Sequence, residues 1–147
     1  DPAGPGATLT IPALQYVEEE RKELITHVRI RTSAPARRFA VERYSRTAND
    51  LSLLTAAVSL ARDREAVVSP IIAAGGLAKH VIRLEAVEKA LCGQPLPRRD
   101  AVERLVASHV SPITDIRGTA EFKRHLAGVL VAKALLRAYR QAGEQRQ

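Results

Sequence analysis

The stretch DIRGTAEFKRHL, Asp115 to Leu126, sets an acid, a glycine and a run of three bases around the expected start of a helix. Such a cluster could cradle phosphate, touch nucleic acid, or only turn the chain into the helix. Gly75-Gly76 raises the phosphate question again, but the following LAKHVIR lacks the third glycine and the Lys-Ser/Thr of a phosphate loop, so a turn is expected. Nucleophilic catalysis needs an activating base and an oxyanion donor, and glycoside hydrolysis needs two carboxylates across a cleft. Serines and threonines here fall on strands or turns, without GxSxG. Asp50, Asp63, Asp100 and Asp115 fall at turns or caps, where carboxylates serve the backbone. His27, His80, His109 and His125 show no HxxxH or HExxH spacing and have no cysteine partners, so no metal site is expected. Cys92, in KALCGQ at the last turn of a helix, reads as a small buried hydrophobe; as the single cysteine it suits a reducing cytosol. The residues alone support no reaction, and no catalytic residue is assigned.

Composition narrows the classes further. With 147 residues and 46% apolar content the chain is the size of one ordinary domain with a real core. Two Phe, three Tyr and no Trp make that core aliphatic and leave little for base stacking. The 23 basic and 16 acidic side chains give +7, but basic pairs such as Arg37-Arg38, Arg98-Arg99 and Lys123-Arg124 are spread and interrupted by glutamates. Spread charge describes a solvated surface or a face for an acidic neighbour, so no nucleic acid is expected as partner. No apolar run approaches the roughly 18 residues of a membrane span, and DPAGPGATLT is not a signal peptide; a cytoplasmic protein is expected. The Pro- and Gly-rich opening reads as a linker, or as the start of a piece of something longer.

Strand patterning occupies Glu23 to about Ala74 and helical patterning Val81 to Tyr139, which predicts a segregated α+β domain. ELITHVRI places Leu24, Thr26, Val28 and Ile30 on one face, and RRFAVERYS sets Phe39, Val41 and Arg43 opposite Ala40, Glu42 and Tyr44. After a turn at Thr47 to Asp50, LSLLTAAVSLAR can line an inner face with Leu54, Ala56, Val58 and Leu60. A polar hairpin at Arg62 to Glu65 leads into AVVSPIIAAGG, where Pro70 demands an edge or a bulge. Helices are expected over Val81 to Leu91, closed by Gly93, from Asp100 with a capping box at Glu103, and over Thr119 to Ala142. The second carries His109 as a partly buried face residue. The third buries Phe122, Leu126, Val129, Leu130 and Leu136 and leaves Lys123 and Arg124 to solvent or a partner. The expected architecture is an antiparallel sheet of three to four strands followed by three helices packed on one face. Residues 1–22 form a linker or extension, 23–142 the domain and 143–147 a frayed tail.

The order of four segments carries a resemblance: ELITHVRI, ERYSRTANDLSLLTAAVSL, IIAAGGLAKHVIRLEAVEKALCGQPL and SPITDIRGTAEFKRHLAGVLVAKAL. Together they resemble the C-terminal domain of the FAD-binding (medium) subunit of the molybdenum hydroxylases, the family of carbon monoxide dehydrogenase and xanthine dehydrogenase. The resemblance runs from about Glu23 to Arg140, and DIRGTAEFKR is its most telling motif. It implies the same α+β fold and a parent enzyme in which electrons pass from a molybdopterin cofactor through two 2Fe-2S clusters to FAD. It also implies that most of the FAD site lies in N-terminal lobes, so that this chain alone should not hold FAD tightly. Family members usually carry a lysine near the flavin where this sequence reads Arg43, within Arg43-Tyr44-Ser45-Arg46-Thr47-Ala48-Asn49-Asp50. Arg43 keeps the charge with a different geometry, while Thr47 and Asn49 depart from the arginine and glycine of the family pattern. Arg43 is accordingly the one candidate for the flavin edge, the alternative being an ordinary surface pairing with Glu42, Asp50 or a neighbouring subunit.

Two functions follow. The first is a non-catalytic structural and subunit-contact domain that braces the FAD lobes against the iron-sulfur and molybdopterin subunits and so supports electron transfer to FAD. The alternative is a stand-alone interaction module that kept the fold without the flavin lobes.

Overall fold

The computed structural model describes residues 9–22, 24–30, 37–47 and 50–144. They form two compact units, residues 1–31 and 32–147. The first contains one short helix, α1 (Ala13–Glu18). The second contains β1 (Arg38–Tyr44), β2 (Leu54–Asp63), β3 (Ala66–Gly75), β4 (Ile82–Arg83), α2 (Glu85–Leu91), α3 (Arg99–His109) and α4 (Ala120–Gly143). The strands make one antiparallel sheet in the order β1-β2-β3-β4. This is the expected α+β fold.

The sheet is built around β2. Leu54, Ala56, Val58 and Leu60 all point inward and are sealed, as the alternation of LSLLTAAVSL predicts. Arg64 and Glu65 turn the chain, with Arg64 at φ 52°, and β3 returns antiparallel. Ser59 pairs with Ile71 but Ala61 pairs with Val68, so Leu60 alone faces both Ser69 and Pro70. Pro70 therefore sits in a bulge, where its missing N–H breaks no ladder bond. The extra residue also resets the alternation. Val67 and Pro70, three apart, both point into the core together with Ile72 and Ala74.

Helix α4 packs across β2 and β1, α3 lies against α4, and α2 covers β3. The core joins the inner sheet face to Leu126, Ala127, Leu130, Val131, Ala134, Leu135 and Ala138 of α4, with Val102 and Val106 of α3 and Val87 and Leu91 of α2. Small residues let α4 approach closely: a Cβ on Gly128 would lie 2.8 Å from the Glu103 carbonyl oxygen of α3.

Several expectations are corrected. Leu24 to Ile30 is not a strand; its apolar residues are exposed, and the sheet's fourth strand is instead β4 within HVIRLE, so α2 begins at Glu85 and not at Val81. Glu23, Ala48, Asn49 and the tail at 145–147 lie outside the described residues. Asp100 does not cap α3, whose N-cap is Arg98; its carboxylate pairs with Arg104 at 3.0 Å, and Glu103 pairs with Arg99 at 2.7 Å. With Arg98, Arg99 and Arg104 around that turn, ion pairing competes successfully with backbone capping. On α4, Leu135 and not Leu136 is the sealed leucine, because the buried stripe follows Val131 and Ala138. His109 is exposed, its Nδ1 2.8 Å from the Leu105 carbonyl oxygen, and Cys92 is exposed where α2 ends.

Candidate functional site

The residues of ERYSRT lie where β1 leaves the sheet, and strand alternation divides them. Arg43 pairs in register with Thr55 and stands on the outer face, away from the helices, where it is exposed. Glu42 and Tyr44 point to the helical side. The Glu42 carboxylate meets Lys133 at 2.8 Å and Arg137 at 3.5 Å, both on α4. The Tyr44 ring meets the edge of Phe122 with centroids 6.1 Å apart and an interplanar angle of 70°. Phe122 is thus half-exposed against Tyr44 and does not dock in the core as expected.

The same end of the fold gathers three of the four sequence motifs. Arg46 donates to the Arg117 carbonyl oxygen at 3.4 Å, joining the β1 exit to the DIRG turn. At Gly76, φ is +92°, and a Cβ there would run into the Leu53 carbonyl oxygen. The glycine pair is therefore a turn, as read from the sequence, with Gly76 pressed against the start of β2. DIRGTAEFKRHL closes the arrangement. Asp115 and Gly118 exchange backbone hydrogen bonds of 3.2 and 3.1 Å, and Asp115 Oδ1 accepts from the Arg117 N–H at 2.9 Å. Thr119 Oγ1 caps α4 by accepting from the Phe122 N–H at 3.2 Å, and Thr114 Oγ1 accepts from the Ala120 N–H at 2.9 Å. The helix-entry reading of this motif holds.

Two charged side chains gained importance that sequence reasoning missed. Lys123, expected at the surface, is 1% exposed; its Nζ donates to the Ile113 carbonyl at 3.0 Å and pairs with Asp115 Oδ2 at 2.7 Å. The Lys123 ammonium, with help from the Arg117 N–H, holds the Asp115 carboxyl below its usual range. The signal was present: Lys123 lies i+4 from Thr119 and shares the helix face of Leu126 and Leu130. Glu88 on α2 is 6% exposed and accepts from the Ile72 N–H at 2.8 Å while holding Arg83 at 2.7 Å. Beside Ile72 the short strand β4 has ended, and the carboxylate replaces the missing ladder acceptor. Burial pushes the Glu88 carboxyl up, but its bonds from Arg83 and the Ile72 N–H outweigh that and leave it below the ordinary value.

These ion pairs are structural. Among the described residues no group of three or more His, Cys, Asp or Glu is placed to hold a metal, and no helix is long and apolar enough to cross a membrane. The outer face beside Arg43 is lined by small residues at Thr55, Ala57, Ala73 and Gly75. A flavin buried as cofactors usually are needs an enclosing pocket. The described residues beside Arg43 form no enclosure of that kind, so they do not by themselves fit FAD.

A four-stranded antiparallel sheet with three helices on one face, entered through this β1 exit and DIRG turn, defines a class. Residues 39–138 match the CO dehydrogenase flavoprotein C-terminal domain, and the chain belongs to that family. Among its relatives, the uncharacterized protein YgfM of Escherichia coli is 36% identical over 142 residues, which is 97% of this chain and 49% of that protein. The carbon monoxide dehydrogenase medium chain of Afipia carboxidovorans is 29% identical over 143 residues, 92% of this chain and 50% of that one. The chain thus spans about half the length of the curated relatives it matches. Among solved structures, carbon monoxide dehydrogenase from Hydrogenophaga pseudoflava superposes with a TM-score of 0.65 at 28% identity, over 74% of this chain and 38% of that one. Quinoline 2-oxidoreductase from Pseudomonas putida shares the fold, with a TM-score of 0.66 at 22% identity, over 74% of this chain and 39% of that one.

Proposed function

We propose that this chain serves as the structural and subunit-contact portion of a molybdenum-hydroxylase FAD subunit. In the parent oxidoreductase it supports electron transfer from 2Fe-2S clusters to FAD and does no chemistry alone. The observation that carries the reading is the family match over 39–138 joined to a fold whose buried acids and bases are all spent on structure. Arg43, exposed on the outer sheet face, is the residue assigned to the flavin edge, where a fixed cation would favour electron density arriving on the ring system. The partners are the FAD-binding lobes, an iron-sulfur subunit and a molybdopterin subunit, and the compartment is the cytoplasm.

Titration with FAD tests the reading. The 147-residue chain should bind no stoichiometric flavin, whereas the same residues replacing the matched half of the Afipia carboxidovorans carbon monoxide dehydrogenase medium chain should give a flavin-containing protein. Tight binding by the isolated chain, or a folded chimera without flavin, would overturn it. In the chimera Arg43→Lys should retain flavin and Arg43→Glu should weaken it or shift the flavin absorption spectrum.

A further inference from the structure

The strand register fixes which side chains share the outer face. Phe39, Ser59 and Ile71 form one row, Val41, Ala57 and Ala73 the next, and Arg43, Thr55 and Gly75 the third. A sheet with one wet face ordinarily shows polar residues there. This one shows Phe39 at 74%, Val41 at 48% and Ile71 at 41% exposure. The large side chains stand on β1 and β3 and the small Ala57 and Ser59 lie between them on β2, which makes a shallow apolar trough over the middle strand. Arg37 closes one end, its guanidinium donating to Ser59 Oγ and to the Ser59 and Ser69 carbonyls at 2.9 to 3.2 Å. Arg43 stands at the other end. At Phe39 and Val41 the trough runs into an open cleft of ≈ 670 Å³ beside Arg38, Arg137 and Gln141, along the edge of β1 that pairs with no other described strand.

Resting on the function proposed above, we propose that this trough is the docking surface for the other half of the flavoprotein subunit, with Phe39, Val41 and Ile71 as apolar anchors. The occupant follows from chain length. The relatives are about twice as long as the part matched here, so in them this domain is tethered to a second half of similar size. Interfaces between domains of one chain are commonly about 600–1,500 Å². The inner sheet face is already filled by the helices, which leaves the outer face as the apolar surface for the tethered half to cover. Arg37 and Arg43 at the trough ends fit carboxylates on the rim of that half.

Hydroxyl-radical footprinting reads the surface directly, because Phe39 is a sensitive target. In the isolated chain Phe39 should label strongly. In the full-length chimera its labelling should fall to a small fraction, with Ile71 following. Flavin bound with Phe39 fully labelled would overturn the docking surface while leaving the proposed function standing. Phe39 protected in a chimera without flavin would do the reverse. Should the chimera misfold, the two halves are co-expressed as separate chains with a tag on this one. Phe39→Asp combined with Ile71→Asp should then cut co-purification at least about tenfold, and Lys89→Glu on the helical side should not. Equal recovery of all three, or none with the unaltered chain, would sink the proposal. So would a homodimer of the isolated chain that Phe39→Asp dissolves, since a second copy would then be the occupant.

Discussion

The two faces of the sheet share strands and hydrogen bonds, yet they differ in what completes them. The inner face carries Leu54, Ala56, Val58 and Leu60, each sealed under α4 and its neighbours, so the domain finishes it with its own helices. The outer face carries Phe39, Val41 and Ile71, and no helix of this domain covers them. An apolar residue therefore has opposite meanings on alternate positions of one strand: on the inner face it holds the fold, and on the outer face it stands exposed and adds little to it.

Substitutions should separate these meanings. Val58→Asp would place an unpaired carboxylate in the aliphatic core and should abolish folding, losing more than about 4 kcal/mol; circular dichroism of the purified chain decides. Leu60→Ala leaves a cavity opposite the Pro70 bulge and should cost about 2–5 kcal/mol in urea unfolding. Glu88→Ala strands the Ile72 N–H and Arg83 and should cost about 2–4 kcal/mol. The smallest effect belongs to the outer face: Phe39→Ser should change stability by no more than about 0.5 kcal/mol. A loss comparable with Leu60→Ala there would erase the distinction between the faces.

Acid sharpens the same contrast. The folded-state carboxyl of Glu88 lies below its ordinary value near 4.5. Its contribution is present in full above that ordinary value and is lost as pH falls through the lower folded one. The stability difference between the native chain and Glu88→Ala, measured by urea midpoints, should hold from pH 7 to about 5 and shrink below that. Phe39→Ser should show no such trend. Asp115, lowered by Lys123, adds acid sensitivity of the same sign at the entry to α4.

Much of this was legible in the chain. The alternation of LSLLTAAVSL, the bulge forced by Pro70, the Gly75-Gly76 turn and the Thr119 cap each follow from local stereochemistry, which acts within a few residues. The misread elements depended on competition at longer range. ELITHVRI has the pattern of a half-buried strand, but a pattern only permits pairing; in this fold two residues of HVIRLE took the fourth place in the sheet. Asp100 and Glu103 have capping-box spacing, and nearby arginines drew both away.

Sequence by itself determined the α+β class, the inner face of the central strand and the family, because these rest on periodicity, turn chemistry and motif order along one dimension. Tertiary structure alone decided that Lys123 and Glu88 are interior ion pairs, since a charge is buried only when distant partners such as Asp115, the Ile113 carbonyl and the Ile72 N–H converge on it. It also decided that the face shared by Phe39, Val41 and Arg43, grouped already by alternation, is the one turned away from the helices, while Tyr44 turns to Phe122. Alternation divides a strand into two sides, but only the packing of α4 determines which side is left open.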